Sequence, residues 1–271
     1  MNPREMSFLE MMRLESHGPD TYVGAGPSYP WGGLYGGQIV AQALRAAALT
    51  VPAQFLVHSL HAYFIRRGDA AEPIRLEVQR IRDGRTFVTR HVVARQAAGA
   101  ILNLAASFHI PEEGVDVQVE HMRQVANPET LPKETWSPLI DRAFVDESKP
   151  GGSVAAWMRL NEALPDDPVL HACALAYLSD DLPTDAVISV HPEYRGRGTD
   201  YRTFWSASLD HAIWFHRPVQ ADAWHLHEFT CRGLMGTRGL STGAIFDRNG
   251  RQVATVSQEV LVRLHRERAA K

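Results

Sequence analysis

Two stretches of the chain read as helices without a polar side. IVAQAL, inside 36–51, and ALAYL, inside 168–180, carry apolar or small residues on almost every face. A helix of that kind has to be covered on nearly all sides. Each follows a short strand-like stretch and precedes four segments rich in β-branched and aromatic residues. The first series is a strand at 20–26, the helix at 36–51, then strands at 57–68, 73–84, 85–96 and 100–110. The second is a strand at 154–161, the helix at 168–180, then strands at 206–218, 223–233, 239–250 and 251–264. Turn formers divide them: Arg67-Gly68-Asp69, Asp83-Gly84 and Ala98-Gly99. Asn249-Gly250 predicts a type I′ hairpin between the last two strands.

The chain therefore states one plan twice. SLHAYFIRRG (59–68) also resembles SLDHAIWFHRP (208–218), with Ser-Leu, a central aromatic, and an arginine before a turn former. Self-similarity at this long period indicates duplication. The predicted organisation is an N-terminal repeat over 1–110, a proline-rich linker over 111–152 and a C-terminal repeat over 153–271. Periodicity alone gives an α+β class. A curved antiparallel sheet wrapped around each buried helix satisfies both signals. That is the hotdog arrangement, here a double hotdog whose two sheets are expected to be continuous.

Composition excludes several functions. Twenty-eight Lys and Arg against 31 Asp and Glu give a formal charge of −3, and no basic stripe invites nucleic acid. The two distant cysteines, Cys173 and Cys231, form neither a disulfide framework nor a metal motif. The N-terminal residues lack a signal-peptide pattern, and no apolar run reaches the roughly 18 residues of a membrane helix. The expectation is a cytoplasmic protein with no metal and no other cofactor.

The stretches YGGQIVAQAL (35–44), LVHSLHAYFIRRGD (56–69), IRDGRTFVTRHVVARQ (81–96), ASFHIPEEG (106–114), LAYLSD (175–180), SLDHAIWFHRP (208–218) and VSQEVLVR (256–263) occur in one order along nearly the whole chain. In that order they resemble the acyl-CoA thioesterase II family, the TesB-like double-hotdog thioesterases. The resemblance implies hydrolysis of acyl-CoA to free fatty acid and CoA, without metal or covalent acyl-enzyme. It also implies three side chains that hold the attacking water. They are an Asp ending the second helix, a Thr or Ser two residues before the Asp-His of a strand, and a Gln in the last strand. In this sequence they fall on Asp180, Ser208 and Gln258. Ser208 departs mildly from the commoner Thr, keeping the hydroxyl and losing the methyl that stiffens χ1.

That residue set suits the chemistry. A thioester carbonyl is already electrophilic, so the protein has to deliver water and stabilise an oxyanion. A carboxylate can act as general base, and a hydroxyl and an amide can fix the water's orientation. For the oxyanion, the helix start after Gly36-Gly37 offers the Gly37 and Gln38 amides. His58 is a further candidate near substrate, and Arg66, Arg67 and Arg90 are candidates for the CoA phosphates, with a solvated strand edge as the competing reading.

Competing readings stand beside these. Asp180 and Asp181 can simply end a helix, and Ser208 and Gln258 can be plain strand residues. Strand alternation puts Asp210 on the face of Ser208, as a supporting acid or a salt-bridge partner of Arg217, and puts His211 and His216 on the opposite face. Ser59 beside His58 offers no nucleophile, since strand neighbours point apart and the chain has no GxSxG elbow. A non-catalytic acyl-CoA or acyl-group binding module is the alternative function. A hotdog dehydratase is another, but no His-Asp or His-Glu pair opens either helix. Exposed strand edges predict a homodimer or higher homo-oligomer.

Overall fold

The computed structural model describes residues 6–145, 151–196 and 200–265. In chain order the first half holds α1 (Phe8–Met11), β1 (Glu15–Ser16), β2 (Thr21–Gly24), α2 (Gly36–Ala48), β3 (Leu56–Phe64), β4 (Ile74–Asp83), β5 (Phe87–Gln96) and β6 (Gly99–His109). The second holds β7 (Ile140–Phe144), β8 (Ser153–Leu160), α3 (Pro168–Ser179), α4 (Pro183–Ile188), α5 (Asp200–Thr203), β9 (Phe204–Ser208), β10 (Asp210–Phe215), β11 (His225–Met235), β12 (Arg238–Phe246) and β13 (Gln252–Leu264).

All the strands belong to one antiparallel sheet, ordered β1-β2-β4-β5-β6-β3-β10-β13-β12-β11-β8-β7, with β9 on β13. The halves meet at the β3–β10 pair, where Tyr63 faces Asp210 and Ser59 faces Trp214. The sheet is thus continuous, as the double-hotdog reading expects. Alternation explains the strands. In β5, Val88, Arg90, Val92 and Ala94 point to the buried face, and in β13 Val256, Gln258, Val260 and Val262 do the same.

α2 and α3 lie together inside the curve. Every residue of α3 from Leu170 to Ser179 is buried, which accounts for its lack of a polar side. Asp167 caps its start by accepting the Val169 amide at 2.9 Å, and Pro168 occupies the first turn. The two helices approach closely at Gly37. A Cβ there would fall 2.3 Å from the Tyr177 carbonyl oxygen and 2.5 Å from the Tyr35 ring.

Three features depart from the sequence reading. β7 lies within the stretch 111–152 read as linker and pairs with β8; residues 146–150 of that stretch lie outside the described residues. The hairpin between β12 and β13 sits where predicted but is not type I′. Gly250 has φ 78°, whereas Asn249 does not have positive φ, and the Asp247 carboxylate accepts the Asn249 and Arg251 amides. A type I turn followed by a left-handed glycine closes it instead. Finally, the segment read as one strand over 206–218 is broken at Leu209 into β9 and β10. Ser208 faces Val260 and Ala212 faces Ser257, so four steps on this side match three on β13. Leu209 and Asp210 share one partner, Glu259, in a β-bulge. The Leu209 amide donates to the Glu259 carbonyl at 2.8 Å, and the Glu259 amide donates to Asp210 Oδ1 at 2.6 Å.

Candidate active site

Asp180 ends α3 with helical dihedrals (φ −82°, ψ −7°) and is only 7% exposed. It turns toward the start of α2. Tyr35, at the N-cap of α2, makes no side-chain cap, and the Gly37 amide donates to Asp180 Oδ2 at 2.8 Å instead. One half of the molecule thus caps the helix of the other, where a carboxylate is favoured. The neighbouring Asp181 faces away, paired with Arg142 at 2.6 Å and accepting from Trp136 Nε1 at 2.7 Å.

Ser208 and Gln258 meet Asp180 from the sheet. Gln258 lies diagonally across from Ser208 on the same face, since Val260 is the direct partner of Ser208. Gln258 Nε2 donates to Ser208 Oγ at 2.8 Å, and Ser208 donates to Asp180 Oδ1 at 3.3 Å. Asp180, Ser208 and Gln258 are therefore linked directly.

Burial pushes the Asp180 carboxyl up to about 7, against the lowering effect of the Gly37 amide and the Ser208 hydroxyl; nearby Asp181 raises it further. The α3 C-terminus acts in the same upward direction, because its carbonyls disfavour an anion. A carboxyl balanced near neutrality suits a general base.

The other predicted residues fare differently. The Gly37 amide was expected to face a substrate oxygen; it faces Asp180 Oδ2 instead, because Asp180 caps α2. The Gln38 side chain is buried, donating to Gln42 Oε1 at 3.3 Å, and its backbone amide belongs to the first turn, which has no carbonyl within the helix to accept it.

Arg90 is not available to a phosphate. It is fully buried, and every N–H is used. Nε donates to Thr50 Oγ1 at 2.8 Å, Nη1 to the Arg82 and Thr89 carbonyls at 3.1 and 3.0 Å, and Nη2 to the Thr50 carbonyl at 3.1 Å and Asp83 Oδ1 at 2.5 Å. A charge read as a candidate phosphate ligand is a strut between the β4–β5 turn and the end of α2.

His58 lies at the opposite end of β3 from the site. It contacts Ser107 Oγ at 2.8 Å and packs edge-on against Phe87 and His109. Phe64, whose ring approaches Gly36, is six residues on, about 20 Å along a strand. Arg66 follows Phe64 at the site's end of β3, is exposed and donates to the Ala98 carbonyl.

The bulge at Leu209 corrects two further readings. Asp210 caps the bulge through the Glu259 amide, while Arg217 pairs with Asp116. His211, expected on the far face, is turned inward and is completely buried. Its Nδ1 lies 2.5 Å from Gln258 Oε1 and its Nε2 2.9 Å from Ser179 Oγ. Uninterrupted alternation hid this residue; only the extra residue in the ladder reveals it. His216 remains half exposed, bonded to Thr255 Oγ1 at 2.8 Å.

Comparison with known proteins gives consistent matches. A family model described as acyl-CoA thioesterase N-terminal domain matches residues 26–109, and one described as acyl-CoA thioesterase C-terminal domain matches 113–262. Acyl-CoA thioesterase 2 of Haemophilus influenzae is 32% identical, covering 95% of this chain and 97% of that protein. Acyl-coenzyme A thioesterase 8 of Mus musculus is 32% identical, covering 96% and 90%. Among solved structures, acyl-CoA thioesterase II TesB2 of Mycobacterium marinum is similar at a TM-score of 0.83 and 35% identity, over 98% of this chain and 100% of that one.

Proposed function

The chain belongs to the acyl-CoA thioesterase family, and from that premise we propose that Asp180, Ser208 and Gln258 hold the water that attacks the thioester. The protein hydrolyses acyl-CoA thioesters to the free acid and CoA. The observation that carries the site reading is the unbroken chain from Gln258 Nε2 through Ser208 Oγ to Asp180 Oδ1.

Asp180 takes a proton from the water as its oxygen bonds to the acyl carbon, and the carbonyl electrons move onto the oxygen. The α2 start, where the Gln38 amide lacks an acceptor within the helix, supports an oxyanion site there. Collapse of the tetrahedral species breaks the carbon–sulfur bond, and the proton on Asp180 passes to the departing thiolate. Ser208 and Gln258 supply neutral hydrogen bonds that orient the water.

Exposed Arg66, at the site's end of β3, supports a role toward the CoA phosphates. The sheet ends at β7, whose outer edge is covered in part by the Glu134–Arg142 bridge, and at β1, whose outer edge has no paired strand among the described residues and supports a homo-oligomer. Free Cys173 and Cys231 support a reducing, cytoplasmic setting, and no helix among the described residues is long and apolar enough to cross a membrane.

The test is thiol release from short-, medium- and long-chain acyl-CoAs. Asp180→Asn is expected to lose about 10² to 10⁴-fold in kcat. A folded Asp180→Asn with wild-type turnover would remove Asp180 as base.

A further inference from the structure

Beyond the three water-holding groups, the polar chain continues. Gln258 Oε1 meets His211 Nδ1 at 2.5 Å, and His211 Nε2 meets Ser179 Oγ at 2.9 Å. Ser179 immediately precedes Asp180, so the chain leaves α3 at one residue and returns to it at the next. His211, Gln258 and Ser179 are all fully buried.

We propose that His211 is a positioning residue for hydrolysis: its ring fixes which end of the Gln258 amide faces Ser208 and the attacking water. The inference rests on the water-holding reading above.

The two ends of a glutamine amide have nearly the same shape, and only hydrogen bonds choose between them. A charged Asp180 can only accept, so Ser208 must donate to it. The Ser208 oxygen is then left to accept, and the Gln258 NH₂ group must face it. That sends Gln258 Oε1 toward His211, which must present Nδ1–H. Burial holds the imidazole neutral by pushing its pKa down to about 4, so the ring has one donor and one acceptor. With Nδ1 as donor, Nε2 is left to accept from the Ser179 hydroxyl at 2.9 Å, whose other acceptor is the Ala176 carbonyl at 3.1 Å. Each link sets the direction of the next. Without the ring, one end of the buried Gln258 amide has no partner in either orientation, so no bond on that side holds the NH₂ group toward Ser208 and the amide is free to turn over. Ser208 would then donate to Gln258 and abandon Asp180.

The experiment is a double-mutant cycle read in kcat and KM separately. His211→Leu is expected to lower kcat by about 10- to 100-fold, the scale of a misplaced reacting group, with KM changed less than about twofold. His211→Asn, whose amide N–H can stand near the place of Nδ1–H, is expected to recover most of that loss. In a Gln258→Ala background the His211→Leu change is expected to become nearly silent, because the group it positions is gone. Thermal melting checks that each variant is folded, and His211→Asn serves if His211→Leu is not. Equal kcat losses in both backgrounds, with Gln258→Ala itself impaired, overturn the role of His211 and leave the water-holding reading intact. The same holds if a folded His211→Asn is as slow as His211→Leu. A fully active Gln258→Ala overturns the water-holding reading first, and this inference with it.

Discussion

At the residue scale, Asp180 links rate and stability to pH in opposite senses. Its carboxyl titrates near 7 in the fold and near 3.8 when exposed. With Asp180 as the proposed base, activity requires the anion, so kcat/KM is expected to rise through a limb near pH 7 and level off above it. Stability runs the other way. A folded value raised above the unfolded one means that the native state holds the proton more tightly. The associated stability is fully present below about pH 4 and is lost as pH rises through 7, to a limit of about 4 kcal/mol. Asp180→Asn removes this cost, so the inactive variant is expected to melt several degrees higher than wild type at pH 8. The difference is expected to shrink toward pH 5. A lower melting point at pH 8 would show that the charge is not a burden to the fold.

Asp210 gives the contrasting residue prediction. Its role is to accept the Glu259 amide and hold the bulge. Asp210→Asn keeps an acceptor oxygen and is expected to stay within about threefold of wild-type turnover. Asp210→Ala is expected to lose about 1 kcal/mol of stability, the scale of one hydrogen bond. Thiol-release rates and urea midpoints check both. If Asp210→Asn were as inactive as Asp180→Asn, Asp210 would be an acid of the reaction.

At the element scale, the sequence reads best where a rule of period applies without interruption. α2 and α3 are legible because an all-apolar helix has one solution, and β5 because alternation runs through it; β4, β6, β11 and β13 are legible from their β-branched and aromatic content and the turns that bound them, although register shifts interrupt each. Asp180, Ser208 and Gln258 were not legible from period or charge; the resemblance supplied them. His211 was illegible for a definite reason. One extra residue at Leu209 reverses the face of everything after it, and nothing in LDHA marks the insertion. Arg90 was misread because arginine is normally exposed, and only the turn at Asp83 and the end of α2 turn it into a strut. β7 was lost among prolines. The Gly36-Gly37 pair was rightly noticed, yet its main constraint is packing. Gly37→Ala would place a Cβ 2.3 Å from the Tyr177 carbonyl oxygen, a backbone atom that cannot turn aside. The helices would have to separate, at a cost of about 2–3 kcal/mol. Urea unfolding is expected to show the loss, together with weaker catalysis, because the same movement draws the Gly37 amide from Asp180. An unchanged midpoint would mean that the helix contact is looser than these distances state.

At the scale of the whole molecule, the halves share what neither could keep alone. Central strands β3 and β10 would become bare edges if the halves parted, and α2 would lose both its partner helix and the carboxylate that caps it. Trp136, which precedes β7, packs on Tyr29, Trp31 and Tyr35 of the first half. The molecule is therefore expected to unfold as one unit, with far-ultraviolet circular dichroism and tryptophan fluorescence giving the same midpoint in urea. Arg90 supplies the sharper test. It lies wholly in the first half, whereas Trp157, Trp205, Trp214 and Trp224 lie in the second. Arg90→Met removes all five hydrogen bonds of a buried guanidinium, two of them to buried Thr50, and is expected to destabilise by about 2–4 kcal/mol. If the sheet is one cooperative body, these four second-half tryptophans report the full shift together with Trp31 of the first half, although none of the four belongs to the half that carries the change. Turnover of the folded variant stays near wild type, since Arg90 touches no reacting group. A fluorescence midpoint that stays put while the dichroism splits into two steps would mean that the β3–β10 seam transmits little, and that the halves fold separately.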